Sequence, residues 1–292
     1  MNASQWYDSG QLIEVNNRNL FVYDSDHLKQ SNKPVLIILH GYPTCSYDYY
    51  KTLPYLQSKF RVVIHDHLGF GYSDKPKDYS YCLIEQAQYA LNLWQKLGIN
   101  QAHLLAHDYG TSIATEIIAQ DNEKKLNHLS LLSVTLCNGS IHIELAKLRL
   151  IQKLLLNKIS GPIVARLSNK KTLTRNLQNI YFDKSKISQS EIDALWTMMI
   201  HHNGRNVLHQ TTQYIKQRYS YWQRWIGALK TTDLQIQILW AKNDPVAVIE
   251  IAELLHQEIR KSDLILLENL GHFPMLEDPK LWSNSVIKSI NI

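Results

Sequence analysis

The chain has 292 residues, of which 45% are hydrophobic and 20% are charged. This is an ordinary globular balance with enough apolar material for one large core or two modest ones, so disordered and fibrous proteins are excluded. The formal net charge of +5 is too small an excess to indicate a nucleic-acid partner, and we expect none.

Cysteine spacing and the N-terminal sequence bear on the cellular compartment. Charged residues are scattered through the first thirty positions with no apolar block, so we predict neither a secretory signal nor a membrane-spanning helix there. Cys45, Cys82 and Cys137 lie far apart and form no C-x-x-C pair, which argues against a disulfide framework and a thiolate zinc site. We expect a protein of a reducing compartment, the cytoplasm.

Short apolar runs and helical patterns alternate through the first half of the chain. Two early runs, 12–15 and 20–23, flank a polar turn and predict a hairpin at an antiparallel sheet edge. Four further runs are mostly apolar, as strands covered on both faces require. They lie at residues 35–39, 61–65, 103–106 and 129–136. Helices are predicted between them at 84–97 and 111–120.

The alternation stops between Gly139 and Leu229, where helical patterns follow one another, and it resumes with strand-sized runs at 236–240 and 264–267. We predict an α/β fold with a mostly parallel eight-stranded sheet and helices on both faces. A helical cap, or lid, is predicted at residues 139–229, inserted after the sixth strand. The core would then consist of residues 1–138 and 230–292.

The first part of the predicted cap is strongly basic. Between Leu145 and Phe182 there are eight lysines and arginines and no acidic residue, which is more than the whole net charge of +5. Leu145, Leu148, Ile151 and Leu155 mark an apolar stripe at helical spacing. Two interpretations stay open: a solvated face over the cap's own core, or a surface that makes weak contact with anionic membranes.

The most informative segment is residues 104–114, Leu-Leu-Ala-His-Asp-Tyr-Gly-Thr-Ser-Ile-Ala. An apolar strand meets a helix there through a turn flanked by small residues, which is typical of a nucleophile elbow. The central residue is Asp108, and no G-x-S-x-G motif occurs in the chain. A carboxylate in this place indicates attack on carbon, giving a covalent ester that water later opens. The alternative role of Asp108 is that of a simple helix N-cap.

Further polar residues follow other predicted strands, at the edge of the sheet where ligands bind in parallel sheets. Asp244 follows the seventh strand and His272 the eighth. His272 would take a proton from water, and Asp244 would fix the tautomer of the imidazole. The backbone N–H groups of Tyr42, in the loop after the third strand, and of Tyr109 would hold an oxyanion.

The remaining clusters indicate no metal and no cofactor. The segment His65-Asp66-His67 lacks a coherent third ligand, and we interpret Asp66 as holding the glycine-rich turn that follows. The segment Gly69-Phe-Gly71 lacks the third glycine of a dinucleotide-binding loop.

Four features follow one another along the chain: the His40-Gly-Tyr-Pro43 loop, the elbow, Asp244 and His272. This order resembles that of the α/β-hydrolase superfamily. The likeness is to its epoxide hydrolase and haloalkane dehalogenase branch, whose nucleophile is an aspartate, and it runs from the hairpin to the C-terminal helix. It implies an α/β-hydrolase fold with Asp108 as nucleophile, His272 as base and Asp244 as supporting acid. The substrate is left open, and we expect a small apolar or lipid-like one.

Two departures from that branch bear on the substrate. Its dehalogenases hold the halide with a tryptophan directly after the nucleophile and often with an asparagine or a second tryptophan, and here these places are Tyr109 and Tyr42. Its epoxide hydrolases protonate the opening oxygen with two cap tyrosines, for which Tyr181 and Tyr214 are the candidates, outside the familiar local motif. An epoxide hydrolase is therefore the first expectation. A haloalkane dehalogenase and a binding protein with negligible turnover are the alternatives.

Overall fold

An eight-stranded sheet forms the centre of the protein in the computed structural model, which describes residues 1–290. The strands are β1 (Gln11–Val15), β2 (Arg18–Asp24), β3 (Val35–Leu39), β4 (Arg61–His65), β5 (Gln101–His107), β6 (Ser130–Cys137), β7 (Ile236–Ala241) and β8 (Ser262–Leu267). Their order across the sheet is β1-β2-β4-β3-β5-β6-β7-β8. The β1–β2 and β2–β4 pairs are antiparallel and the others are parallel. The predicted fold class and its antiparallel edge are confirmed.

The interior strands are covered on both faces, as their apolar sequences predict. Every residue of β4 and β7 is buried. In β3, Ile37 and Leu39 belong to one apolar cluster while Leu36 and Ile38 belong to another. Because side chains alternate along a strand, these two clusters lie on opposite faces of the sheet.

Helices cover both faces of the sheet. They are α1 (Ala3–Asp8), α2 (Leu53–Leu56), α3 (Leu83–Lys96), α4 (Tyr109–Asn122), α5 (Leu150–Leu156), α6 (Ser160–Leu167), α7 (Lys170–Gln178), α8 (Gln189–Ile200), α9 (Leu208–Thr211), α10 (Tyr214–Ser220), α11 (Trp222–Thr231), α12 (Ile249–Glu258), α13 (Pro274–Glu277) and α14 (Pro279–Ser289). Short 3₁₀ helices occur at Ser46–Tyr49, Lys184–Lys186 and His201–Val207. Helices α3, α4 and α12 contribute side chains to one apolar cluster, and α1, α2 and α14 to the other.

Helices α5 to α11 separate β6 from β7, in the segment predicted as a cap. The last of them packs on α4 of the core, where Arg224 and Trp225 donate hydrogen bonds of 2.8 and 2.9 Å to the buried Glu116 carboxylate. Helix α11 ends at Thr231, just beyond the predicted limit at residue 229. The division into a cap at 139–229 and a core at 1–138 and 230–292 stays a prediction, and residues 291–292 lie outside the described part of the chain.

Several helices of this segment share apolar clusters with the sheet. Tyr214 and Trp225 belong to the cluster on one face, and Leu173 and Leu195 belong to the cluster on the other. Among residues 1–290, no helix has the length and apolar character needed to cross a membrane. The cytoplasmic location stays a prediction.

Candidate active site

Asp108 lies at the sharp turn between β5 and α4, with backbone angles φ 43° and ψ −106°. Its side chain does not cap α4, so the simple N-cap role is not the one that the structure shows. A Cβ on Gly110 would lie 2.4 Å from the carbonyl oxygen of Leu39, which explains why this flank of the turn needs a glycine. A non-glycine residue at positive φ stores strain of about 1–3 kcal/mol, and such strain is concentrated at functional sites.

His272 lies between the two predicted catalytic aspartates. Its Nδ1–H donates a hydrogen bond of 2.6 Å to Asp244 Oδ2, and its Nε2 lies 4.0 Å from Asp108 Oδ2. The three side chains, which follow β5, β7 and β8 in the chain, thus meet at one edge of the sheet and are all buried. The 4.0 Å separation is too long for a direct hydrogen bond, so Nε2 remains available to a water molecule or a substrate.

Two hydrogen bonds fix the backbone of His272. Its N–H donates to the carbonyl of Ile180 in the inserted segment at 2.8 Å, and His107 Nε2–H donates to the His272 carbonyl at 2.7 Å. His107 therefore links the end of β5 to the loop that follows β8. Sequence reasoning missed this residue, although its place at the end of a strand is the signal that identified Asp244 and His272.

The charge state of His272 follows from its surroundings. Burial lowers the pKa of the imidazole, but the Asp244 carboxylate and its hydrogen bond outweigh burial, and with a smaller contribution from Asp108 they raise the pKa to about 8. At neutral pH the free enzyme therefore holds mostly the protonated imidazole, paired with Asp244.

The Asp244 carboxylate is held by several donors besides His272. Its Oδ1 accepts hydrogen bonds from the N–H groups of Val246 and Ala247 at 2.7 and 3.0 Å. Its Oδ2 accepts a hydrogen bond of 2.9 Å from Asn138 Nδ2. Asn138 directly follows β6, so it occupies the same kind of strand end, but sequence reasoning did not select it. These bonds orient the carboxylate toward the imidazole.

The first predicted oxyanion donor already contacts Asp108. The backbone N–H of Tyr42, in the loop after β3, donates a hydrogen bond of 2.9 Å to Asp108 Oδ2. Tyr109 is the first residue of α4, and the role of its N–H as the second donor stays a prediction.

A buried arginine from α10 also reaches the elbow. Arg218 is 1% exposed, and its Nη2 donates a hydrogen bond of 2.8 Å to the Asp108 carbonyl while its Nε donates one of 2.7 Å to Ser112 Oγ. Nη2 also lies 3.8 Å from Asp108 Oδ1. Sequence reasoning missed this contact, because no local motif shows that an arginine more than a hundred residues away reaches Asp108.

Asp108 lies at a cavity beneath the inserted helices. The cavity holds about 830 Å³ of space free of protein atoms, including its mouth. Asp108, Tyr42 and His272 contribute to its wall from the sheet edge. Apolar side chains of α5 and α7 contribute from the other side: Ile151, Leu155, Leu173 and Leu177. Arg149 and Gln152 add polar groups near the start of α5.

Neither candidate cap tyrosine lines this cavity. Tyr181 stacks on Phe273, with ring centroids 5.8 Å apart. The Tyr214 hydroxyl is linked to the cavity wall, since it accepts a hydrogen bond of 3.3 Å from Gln152, which lines the cavity. Burial raises the pKa of both phenols well above the usual value, so both hydroxyls carry their protons at neutral pH. Their roles as proton donors stay predictions.

Asp66 supports the glycine-rich turn, as interpreted from the sequence. Its carboxylate accepts hydrogen bonds from the N–H groups of Ser46 and Tyr72 at 2.8 and 2.7 Å. A Cβ on Gly71, which has a φ of +50°, would lie 1.9 Å from this carboxylate. Within residues 1–290, no group of three or more histidines, cysteines or acids has the arrangement of a metal site.

A comparison with protein families identifies the fold family. The model of the alpha/beta hydrolase fold family matches residues 34–279. The chain belongs to this family. The resemblance to the α/β-hydrolase superfamily, deduced from the elbow, Asp244 and His272, is confirmed, and the protein is an α/β-fold hydrolase.

Relatives from distant organisms match nearly the whole of this hydrolase. The mesoderm-specific transcript protein of Mus musculus is 33% identical, over 98% of this chain and 87% of that protein. LipZ of Mycobacterium tuberculosis, named as a hydrolase, is 32% identical, over 97% of this chain and 96% of its own. Among solved structures, the haloalkane dehalogenase DbeA from Bradyrhizobium elkani has a TM-score of 0.81 at 20% identity, with 97% of each chain covered. At this identity the structural likeness shows the fold alone.

Proposed function

We propose that this hydrolase acts in two steps through a covalent ester on Asp108. The observation that carries the proposal is that Asp108 and the His272–Asp244 pair converge beside an apolar cavity. The Asp108 side chain does not cap the helix that it precedes, and its backbone is strained, so a structural role does not explain the residue. A nucleophile does.

In the first step a carboxylate oxygen of Asp108 attacks an electrophilic carbon, and the bond from that carbon to its leaving group breaks. The carboxylate becomes an uncharged ester. The leaving oxygen or halogen departs on the side of the carbon away from Asp108, which is the side formed by α5 and α7. The apolar wall excludes water from the carboxylate and so favours attack over hydration.

In the second step His272 takes a proton from a water molecule, whose oxygen adds to the ester carbonyl carbon. The Tyr42 N–H, which already bonds Asp108 Oδ2, and the Tyr109 N–H hold the resulting oxyanion. Collapse expels the alcohol oxygen, which takes the proton back from His272, and the acid returns to a carboxylate by losing its remaining proton to solvent. The negative charge of Asp108 raises the pKa of His272 in the free enzyme, so formation of the ester releases a larger share of neutral imidazole for this step.

We propose an epoxide as the substrate class. The side chains at the two halide-binding places offer no halide donor in the cavity, because the Tyr42 hydroxyl shares a hydrogen bond of 2.7 Å with Thr212 Oγ1 and Tyr109 does not line the cavity. An opening epoxide needs a proton, and the Tyr214 hydroxyl, which adjoins the cavity through Gln152, would supply it. Tyr214 would regain a proton from solvent in exchange for the one that the Asp108 acid loses at the end of the second step. A haloalkane is the rival substrate, and it would leave without a proton.

The test traps the intermediate. A His272→Phe variant lacks the base of the second step, so we expect the ester to accumulate when the variant is incubated with separate epoxides and haloalkanes. Intact-mass spectrometry would then show an added mass equal to that of the whole epoxide. A matched double variant, Asp108→Asn with His272→Phe, is expected to carry no adduct.

The outcomes separate the three functions. An added alkyl group with release of halide would replace the epoxide proposal with a haloalkane dehalogenase. If the folded His272→Phe variant gains no mass from either class, and Asp108→Asn and His272→Gln variants keep the function of the protein in its native host, then the protein is a binding protein with negligible turnover.

A further inference from the structure

Two neighbouring helices of the inserted segment expose large apolar side chains. In α5, Leu150 is 72% exposed, and Leu154 follows it at four-residue spacing. Ile159, before α6, is 82% exposed, and Ile163 and Leu167 follow at the same spacing. Residues four apart share one helix face, so each helix presents an apolar stripe to solvent. We call these five side chains the outer face of α5 and α6.

The opposite sides of α5 and α6 are buried, so both helices pack against the protein while their outer face stays exposed to solvent. Leu155 of α5 and Ala165 of α6 pack in a small apolar cluster with Leu208. Burying an apolar surface of this kind is favourable, so side chains as large as Leu and Ile at such exposure mark an interaction surface.

The charge around the outer face indicates what covers it. Eight basic residues and no acidic one lie between Leu145 and Phe182. They are Lys147, Arg149, Lys153, Lys158, Arg166, Lys170, Lys171 and Arg175. Within residues 1–290 only Lys170 of this group forms an ion pair, with Asp193 at 2.9 Å. Arg149 lines the cavity, and the other six are exposed and remain available to an anionic surface.

The outer face and the cavity lie on opposite sides of α5. Leu150 and Leu154 of α5 are exposed, whereas Ile151 and Leu155 of the same helix line the cavity. One helix therefore separates the solvent-facing stripe from the space above Asp108. A substrate held at a surface that covers the stripe would need to pass only this helix to reach the nucleophile.

We propose that the outer face of α5 and α6 docks on anionic lipid membranes. Exposed apolar side chains with exposed basic neighbours in the same segment, Lys153, Lys158 and Arg166, match an interface in which acyl chains lie beneath negatively charged head groups. A second copy of this basic chain would bring like charges together, so the charge favours the lipid surface over self-association. This docking requires no catalysis, and its test is independent of the proposed reaction.

The experiment is flotation of the full chain with vesicles. We expect the protein to float with vesicles of phosphatidylcholine mixed with phosphatidylglycerol, to bind vesicles of phosphatidylcholine alone roughly tenfold or more weakly, and to be released as salt is raised. Equal binding to both vesicle types, or no binding to either, would overturn the proposal.

Two pairs of variants assign the binding to this surface. Ile159→Ser with Leu167→Ser should weaken binding at least about tenfold, whereas Leu28→Ser with Leu281→Ser, which are also exposed, should leave it unchanged. Lys153→Gln with Lys158→Gln should weaken binding roughly tenfold, and Lys59→Gln with Lys280→Gln, equal in charge and exposed, should not.

The variants also show whether a lipid membrane or a second copy of the chain covers the outer face of α5 and α6. Because the altered side chains are exposed, thermal unfolding is expected to remain like that of the natural chain, and this confirms that a loss of binding is not a loss of fold. If the natural chain is a dimer that Ile159→Ser with Leu167→Ser converts to a monomer, and vesicles do not bind, a second copy covers the face and the proposal is wrong.

Discussion

The protonation of His272 depends on a few buried neighbours. Burial lowers the pKa of the imidazole most strongly, Asp244 raises it, and of the remaining neighbours Asp108 raises it while Arg218 lowers it. Arg218 lies 3.8 Å from the Asp108 carboxylate, so the arginine offsets part of the negative charge that the imidazole experiences. The proposed reaction removes that negative charge when the ester forms, and this couples the first step to the base of the second.

Charge-changing variants should therefore move the pKa of His272 in opposite directions. We expect Asp108→Asn to lower it below about 8, because a negative neighbour is lost, and Arg218→Met to raise it, because a positive neighbour is lost. Arg218→Lys keeps the charge and serves as the matched control. The measurement is an NMR titration of the histidine ring, with exposed His256 as a residue that should not change. A higher pKa in Asp108→Asn would contradict the charge balance described here.

The elbow is the element that holds Asp108, and its shape depends on close contact between β3 and α4. The backbone N–H of Gly110 donates to the carbonyl of His40 at 3.1 Å, and a side chain at Gly110 would collide with the end of β3. Gly227, in α11, is the opposite case, since a Cβ there would meet nothing within 4 Å. Both glycines lie in helices, but only Gly110 has backbone atoms where a Cβ would be placed.

Alanine at these two glycines should have effects of opposite sign. Gly110→Ala places a Cβ 2.4 Å from the Leu39 carbonyl, so we expect a loss of about 1–3 kcal/mol or more in the free energy of unfolding and a displaced, inactive Asp108. Gly227→Ala should stabilise the protein by up to about 1 kcal/mol, because alanine favours the helix. Urea unfolding measures both, and a neutral Gly110→Ala would show that the elbow tolerates side chains there.

At the scale of the whole molecule, the inserted helices differ in how they are anchored. Tyr214, Ile215 and Trp225 of α10 and α11 belong to the large cluster on one face of the sheet. By contrast, Leu155 and Ala165 of α5 and α6 belong to a small separate cluster. The segment above the cavity is therefore attached firmly at its C-terminal end and more weakly at its N-terminal end.

Hydrogen exchange should show this gradient. We expect the amides of α10 and α11 to exchange as slowly as those of the central strands, and those of α5 and α6 to exchange faster, because local opening exposes few buried contacts there. Mass spectrometry of peptic fragments measures this directly. Equal protection of α5 and α11 would show that the inserted helices unfold as one unit with the sheet.

The sequence by itself determined the sheet and the elbow, and it selected Asp108, Asp244 and His272, which the structure brings together. These are local features, because a buried strand is a short apolar run and a parallel sheet brings its strand ends to one edge. The basic character of residues 145–182 was equally visible, since it is a property of composition.

Only the tertiary structure decided which distant residues support the site. Arg218 reaches Asp108 because α10 packs over the elbow. Asn138 bonds the Asp244 carboxylate and His107 bonds the His272 carbonyl, each from the end of a different strand. The structure also showed that Tyr181 and Tyr214 do not line the cavity. It showed that α5 carries apolar side chains on two sides, with Ile151 and Leu155 at the cavity and Leu150 and Leu154 in solvent. Such contacts depend on how helices far apart in the chain pack together, and no local pattern of residues encodes that packing.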